Sequence, residues 1–302
     1  MAGLWIPGPP LNVARGGLIN ATFKTAYAIG GFTTGFGTEL DAVERLDRDR
    51  GRWMPVAPMP TARGNPAAAA AGERIYVFGG FIGDKPVDVV EVFDPANNRW
   101  QVRRPLPGGG RGGAAAATAG SPTATAAERI YLVGGFDADD IATGAAEVHD
   151  AAADVWRGVR PMPTRRGLLK LAVVGGQIYA IGGRDDNAVS QRVVERYDPA
   201  TDTWHAAAPM GTGRGNPGIG VAAGKIYAVG GQGAGVALRT TERYDPAADR
   251  WETLSPLLAV GRSSLSADHV IIGGRDLLIA FGGFEIAGGT PVASARVESL
   301  AL

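Results

Sequence analysis

The sequence contains no cysteine among its 302 residues. That absence excludes disulfide scaffolds, thiol nucleophiles, iron–sulfur clusters and zinc sites built on thiolates. Histidine is scarce as well, and no apolar run approaches the roughly 18–20 residues that a membrane-spanning helix needs. We therefore expect a soluble, cytoplasmic protein that holds no metal and no other cofactor.

A net charge of one sign is also lacking, because 30 basic residues balance 30 acidic ones. A neutral chain has no overall field that would attract nucleic acid or an anionic membrane, so neither is expected as a partner. Glycine, in contrast, is abundant, with 46 residues beside 20 prolines. This composition is too rich in turn formers for a helical protein and predicts many short strands.

A strand signal that ends in a Gly-Gly pair recurs at intervals of 48 to 55 residues. A period in the range of ~20–50 residues indicates a solenoid or a propeller. In five of the six repeats a tyrosine stands three residues before the first glycine. The pairs are Gly30-Gly31, Gly79-Gly80, Gly134-Gly135, Gly182-Gly183, Gly230-Gly231 and Gly282-Gly283.

A second strand signal follows each pair and carries a glutamate, with a tryptophan nine residues after five of the six glutamates. The glutamates are Glu44, Glu91, Glu147, Glu195, Glu242 and Glu298, and the tryptophans are Trp53, Trp100, Trp156, Trp204 and Trp251. Glu298 lies four residues from the C-terminus, yet Trp5 falls nine positions after it if the chain is joined end to start. This spacing predicts that the N-terminal strand, residues 3–9, completes the repeat formed by residues 263–302.

These motifs resemble those of the kelch-repeat β-propellers, and the resemblance covers essentially the whole chain. It implies an all-β fold in one domain, residues 1–302: a six-bladed β-propeller of four-stranded antiparallel blades, closed by the N-terminal strand pairing into the last blade. Two metal-dependent activities of kelch proteins are not expected. The chain lacks the cysteine of the copper oxidases and the acidic-acidic-histidine run of the iron-dependent specifier proteins.

An arginine stands ten or eleven positions after every tryptophan, before the predicted inner strand. These residues, Arg15, Arg63, Arg111, Arg166, Arg214 and Arg262, are expected to form a ring at one end of the propeller. One interpretation pairs each arginine with a repeat glutamate, because buried charges are normally paired. The other makes the ring a ligand-binding cationic funnel, since a guanidinium group binds carboxylate and phosphate in a two-pronged geometry.

The residue after each Gly-Gly pair varies among the blades and is a second candidate for ligand binding. Four blades have a phenylalanine there, whereas blades four and five have a polar residue: Phe32, Phe81, Phe136, Phe284, Arg184 and Gln232. Together with the arginines they predict an aromatic and cationic mouth that suits an organic anion or an acidic peptide. The alternative is that the phenylalanines cap the blade interiors.

Departures from the repeat on the inner strands give three candidate catalytic residues. Lys170 is charged where the other blades have small or apolar residues, and burial near the axis would lower its pKa. Asp268 and His269 interrupt the inner strand of the last blade. Because neighbouring residues on a strand point to opposite faces, at most one of these two is expected to line a site.

Two functions follow from these residues. The first is a monomeric binding module that holds an acidic peptide, an acidic protein segment or a small organic anion at the arginine and phenylalanine mouth. The second is a metal-independent epimerase, isomerase or cyclase that acts on a small organic anion there. No spacing typical of a nucleophile or an acid–base pair favours the enzyme.

Overall fold

A computed structural model of the chain describes residues 4–119, 129–255 and 257–302. These residues form thirty strands, and no helix among them is suited to crossing a membrane. Six antiparallel sheets of four strands account for most of the strands. The sheets are the blades of a propeller, so the six-bladed all-β fold predicted from the repeat is confirmed.

The innermost strand of each blade is short and made largely of small residues. Alanine and glycine suit this position, because blades converge at the axis and leave little room for side chains. Successive inner strands contact one another around the ring, including the last with the first. They are β2 (Ile19–Phe23), β6 (Ala67–Ala71), β12 (Ala115–Ala119), β16 (Lys170–Val174), β20 (Gly218–Ala222) and β26 (Ser266–Ile272).

The second strand of each blade ends at the Gly-Gly pair and is almost wholly buried, while the third carries the repeat glutamate. The second strands are β3 (Thr25–Ile29), β7 (Arg74–Phe78), β13 (Arg129–Val133), β17 (Gln177–Ile181), β21 (Lys225–Val229) and β27 (Arg275–Phe281). The third strands are β4 (Val43–Asp47), β10 (Val90–Asp94), β14 (Ala146–Asp150), β18 (Val194–Asp198), β24 (Thr241–Asp245) and β30 (Val297–Ala301). Their side chains fill the wedges between adjacent blades.

The outer strands carry the tryptophans, and the last blade takes its outer strand from the N-terminus. Five of these strands are β5 (Arg52–Pro55), β11 (Arg99–Val102), β15 (Val155–Gly158), β19 (Thr203–Ala207) and β25 (Arg250–Leu254), and the sixth is β1 (Ile6–Pro7). In β1, Ile6 pairs with Ser299 and Pro7 with Glu298. Trp5 is buried against Leu258 and Leu300. The closure predicted from the Trp5 spacing is thus confirmed, and it removes an open sheet edge.

Three further hairpins, which the repeat did not predict, extend from one end of the propeller. They are β8 (Phe81–Ile82) with β9 (Lys85–Pro86), β22 (Gln232–Gly233) with β23 (Val236–Ala237), and β28 (Phe284–Ala287) with β29 (Thr290–Ala293). They lie in the segments that follow Gly-Gly pairs, at the end where the chain also enters each inner strand. We call this end the loop face.

Candidate functional site

Each repeat arginine forms an ion pair with the glutamate of its own blade. The nitrogen–oxygen distances range from 2.5 to 2.8 Å, and five of the six arginine side chains are fully buried. The pairs are Arg15–Glu44, Arg63–Glu91, Arg111–Glu147, Arg166–Glu195, Arg214–Glu242 and Arg262–Glu298. Burial lowers the pKa of Arg15 to about 10, so this guanidinium stays charged at neutral pH.

The glutamates also bind the segment that enters from the preceding blade. Glu44 accepts hydrogen bonds from the backbone N–H groups of Asn12 and Val13, and Glu242 accepts them from Gly211 and Thr212. Each ion pair therefore joins one blade to the next. The arrangement matches the interpretation that pairs each arginine with a repeat glutamate, because the carboxylates inside the blades neutralise these guanidinium groups. A ligand-binding role of the ring stays a prediction.

In five of the six blades the residue after the Gly-Gly pair packs on a glycine of the following blade. A side chain on Gly64 would collide with the ring of Phe32, and one on Gly112 would collide with Phe81. Phe136, Arg184 and Phe284 pack in the same way on Gly167, Gly215 and Gly16.

This packing limits which of those residues can meet a ligand. Phe32 and Phe81 are only 3% and 5% exposed, so capping of the blades accounts for their position. Phe136, Arg184, Gln232 and Phe284 are half-buried and keep some surface toward solvent. Arg184 forms no ion pair with any described residue, and burial lowers its pKa. Among the arginines of the predicted mouth, Arg184 is therefore the one whose guanidinium group remains available to a ligand.

A closed ring of backbone hydrogen bonds surrounds the axis at the loop face. In each blade one residue donates its N–H to the carbonyl oxygen of its counterpart in the preceding blade, at 2.7 to 3.1 Å. All six adopt positive φ, which glycine and asparagine tolerate best. The six are Gly17, Asn65, Gly113, Leu168, Asn216 and Ser264.

Two side chains cross the middle of this ring. Asn65 and Asn216 lie in opposite blades, and the Asn216 Nδ2 donates a hydrogen bond of 2.8 Å to the Asn65 Oδ1. This asparagine bridge separates two cavities. Asn65 and Leu168 line a loop-face depression, whereas no residue of the ring lines the cavity that continues along the axis.

The axial cavity, which we call the channel, has a volume of about 450 Å³ and is lined by all six inner strands. Every inner strand is the edge of its sheet, so alternate backbone N–H and C=O groups face the axis without a ladder partner. Lys170, Asp268 and His269 are its ionisable lining residues. The structure thus brings the three predicted catalytic residues to one cavity.

Asp268 and His269 both line the channel, so the expectation that at most one of them would do so is wrong. The open edge of an inner strand faces the axis, and side chains from both faces of the strand border it. Asp268 accepts hydrogen bonds from the Thr22 hydroxyl at 2.5 Å and from the His269 N–H at 2.8 Å. Burial raises the pKa of Asp268 to about 6. His269 instead contacts Asp276 at 3.0 Å.

Lys170 begins its inner strand two residues after Leu168 of the backbone ring, so it lies at the closed end of the channel. Its ammonium group has no ion-pair or hydrogen-bond partner among the described residues. Burial lowers the pKa of Lys170 to about 8, with no opposing charge to raise it. Lys170 therefore differs from the repeat arginines, each of which is paired with a glutamate.

Apolar side chains project from the loop face in every blade, and sequence reasoning missed them. They lie between 42% and 60% exposed at the tips of the segments after the Gly-Gly pairs, although those segments differ in length. The signal was one apolar residue among polar and glycine neighbours in each of these segments. We call these residues the apolar crown: Phe36, Ile82, Ile141, Val189, Val236, Ile286 and Val292.

The loop-face depression is bordered by Phe36 of the apolar crown and has a volume of about 210 Å³. Phe36 packs edge-on against Phe32 and at a tilt against Phe81, with ring centroids 5.6 and 5.4 Å apart, and is itself 60% exposed. The charged lining residues are three carboxylates and one guanidinium: Asp140, Asp185, Asp186 and Arg184. The depression is therefore aromatic and carries more negative than positive charge.

A model of the Kelch motif matches residues 25–60, 62–107, 165–211 and 213–258, which together exceed half of the chain. The chain belongs to the kelch family. This kelch propeller is 31% identical over 139 residues to Kelch-like protein 35 of Mus musculus, covering 46% of the chain and 21% of that protein. It is 28% identical over 171 residues to Kelch-like protein 25 of Xenopus tropicalis, covering 54% of the chain and 27% of that protein.

The kelch propeller spans about a quarter of the length of these curated relatives. Among solved structures it is similar to the one described as "Structure of YjhT", with a TM-score of 0.76 at 18% identity. That match covers 97% of this chain and 96% of the other. At this identity the likeness shows the shared fold.

Proposed function

We propose that this kelch propeller binds a partner protein through its loop face. The observation that carries the proposal is the apolar crown, in which each blade exposes at least one large apolar side chain on the loop face, and Phe36 of the crown also lines the depression. Exposed apolar groups gathered on one face are typical of interaction sites. Kelch propellers generally bind proteins, which agrees with this assignment.

The depression favours a partner segment that carries a basic side chain beside apolar ones. A cation there would lie near the Phe36 ring and the carboxylates of Asp140 and Asp186, and both kinds of group attract positive charge. The acidic segment expected from the sequence stays a prediction. It is supported by Arg184, while the other arginines of the predicted mouth are neutralised inside the blades.

A peptide-display selection against the folded protein tests the proposal. We expect enriched peptides to combine aromatic or aliphatic residues with lysine or arginine, and to lose at least about tenfold in affinity when Phe36→Ser is introduced. Val155→Ser is the matched control, because Val155 is 37% exposed and begins its outer strand at the opposite end of the blade from the loop face. Equal binding to both variants would contradict the loop-face site. Enrichment of peptides rich in aspartate and glutamate would instead support the acidic partner predicted from the sequence.

The enzyme alternative from the sequence also stays a prediction. Lys170, Asp268 and His269 line one channel, which is what it requires, but Lys170 makes no hydrogen bond to either of the others. The enzyme alternative would be supported if the protein converts a small organic anion and if Lys170→Ala and His269→Ala each abolish this turnover without changing the melting temperature. Turnover unaffected by both substitutions would exclude those residues.

A further inference from the structure

The four lysines of the chain occupy different surroundings. Lys24 is 73% exposed and lies 3.8 Å from Glu73, and Lys225 pairs with Asp245 at 2.5 Å. Lys85 is exposed in a loop-face hairpin. Lys170 alone lies inside a cavity and lacks a partner among the described residues.

Among the described residues, no carboxylate of the channel forms an ion pair or a hydrogen bond with Lys170. Asp268 is the one acidic residue that lines it, and both oxygens of that carboxylate already accept hydrogen bonds from Thr22 and His269. A desolvated ammonium group without a counterion is unfavourable, and the lowered pKa of Lys170 reflects this cost. An anion that entered the channel would supply the missing charge.

The channel also has the dimensions and polar groups of a small-molecule site. Its volume of about 450 Å³ lies within the ~300–1,000 Å³ range of typical ligand pockets. The asparagine bridge closes it at the loop-face end, next to Lys170. Along its walls, Thr118 and the edge N–H groups of the inner strands offer further hydrogen-bonding atoms.

We propose that the channel binds a small organic carboxylate, with the carboxylate group paired to Lys170 at the closed end and the remainder of the molecule along the inner strands. This site lies on the other side of the asparagine bridge from the loop-face depression. It does not depend on the protein-binding function proposed above.

Carbon-13 dimethylation of the lysines gives a direct test, because the chain has only four lysines and the modification retains their charge. The probes are acetate, pyruvate, succinate and citrate, each titrated into the full chain and followed by NMR. We expect at least one probe to shift the Lys170 signal saturably, with a Kd in the millimolar range or below. The signals of Lys24, Lys85 and Lys225 serve as internal controls and should stay in place.

Variants separate this site from the loop face. Lys170→Met should weaken binding of the active probe by about tenfold or more, whereas Lys85→Met, which removes the same charge on the loop face, should leave it unchanged. Phe36→Ser should also leave it unchanged. A Lys170 signal that none of the four probes moves, or binding that survives Lys170→Met, would overturn the proposal. A loss caused by Phe36→Ser would place the anion on the loop face and overturn it as well.

Discussion

The repeat arginines and Lys170 are both cations inside the propeller, but their surroundings differ in kind. Arg214 donates hydrogen bonds to Glu242 and to the carbonyl oxygens of Gly230 and Thr240, and none of its side chain is exposed. Lys170 lies in an open channel and has no counterion there. The paired arrangement of Arg214 recurs in every blade, whereas the unpaired arrangement of Lys170 occurs once among the described residues of the channel.

This difference separates the charges that hold the fold from the charge that is available to a ligand. A residue repeated in every blade satisfies a requirement common to all blades, in this case the connection of one blade to the next. A charged residue that appears once and lacks a partner does not connect one blade to the next, and its burial lowers the stability of the folded protein. Its interaction energy is therefore available to a bound anion.

The largest expected effect is the loss of one repeat pair. Arg214→Met leaves Glu242 buried without its counterion and should lower the free energy of unfolding by about 3–5 kcal/mol. Urea denaturation at neutral pH measures this change. The double substitution Arg214→Met with Glu242→Gln should recover part of the loss, because no isolated charge remains. A loss below about 1 kcal/mol would mean that the pair does not hold the blades together.

Asp268→Asn should stabilise the protein near neutral pH. The pKa of Asp268 is raised from its ordinary value of 3.8 to about 6, so the folded state binds the proton more tightly than the unfolded state does. The carboxyl thus contributes stability below pH 4 that is lost as the pH rises to about 6.

Asparagine cannot ionise. Its Oδ1 can accept the His269 N–H, and its Nδ2 can donate to the Thr22 hydroxyl, which reverses the direction of that bond. The variant should gain on the order of 1–3 kcal/mol at pH 7, with a smaller gain at pH 4. Thermal denaturation of both proteins between these pH values checks this. A gain that does not vary with pH would show that ionisation of Asp268 is not its cause. The exposed Asp84→Asn is the control and should change little at any pH.

Lys170→Met should produce a gain of similar size with the opposite pH dependence. Because the pKa of Lys170 is lowered from 10.5 to about 8, the unfolded state binds the proton more tightly, and the stability of the native protein should rise from pH 8 to pH 10. Methionine removes this rise and should add on the order of 1–3 kcal/mol at pH 7. Stability curves with the same slope for both proteins would contradict a desolvated ammonium group in the channel.

The smallest effect is expected at the surface. Lys24→Met removes an ion pair to Glu73 whose side chains are 73% and 83% exposed, and exposed pairs contribute little. We expect a change below about 0.5 kcal/mol in urea denaturation. A larger change would show that charge substitutions affect this protein regardless of burial, and it would weaken the contrast between the repeat arginines and Lys170.

Much of the fold and part of the site could be predicted from the sequence. The regular spacing of Glu298 and Trp5 across the termini predicted the ring closure, because strand order in a repeat follows from order along the chain. The singular Lys170 was also visible as a departure from the repeat. The asparagine bridge was not, since Asn65 and Asn216 are 151 residues apart and meet only because six blades place them opposite each other.

The sequence by itself determined the number of blades, their strand order and which charged residues repeat, because periodic positions must occupy equivalent places in equivalent blades. Only the tertiary structure decided which charged side chains are paired inside the blades. Pairing depends on distances between separate strands, and these distances bury Arg15 against Glu44 while leaving Lys170 alone at the end of the channel. The same spacing of blades turned scattered loop residues into one apolar crown.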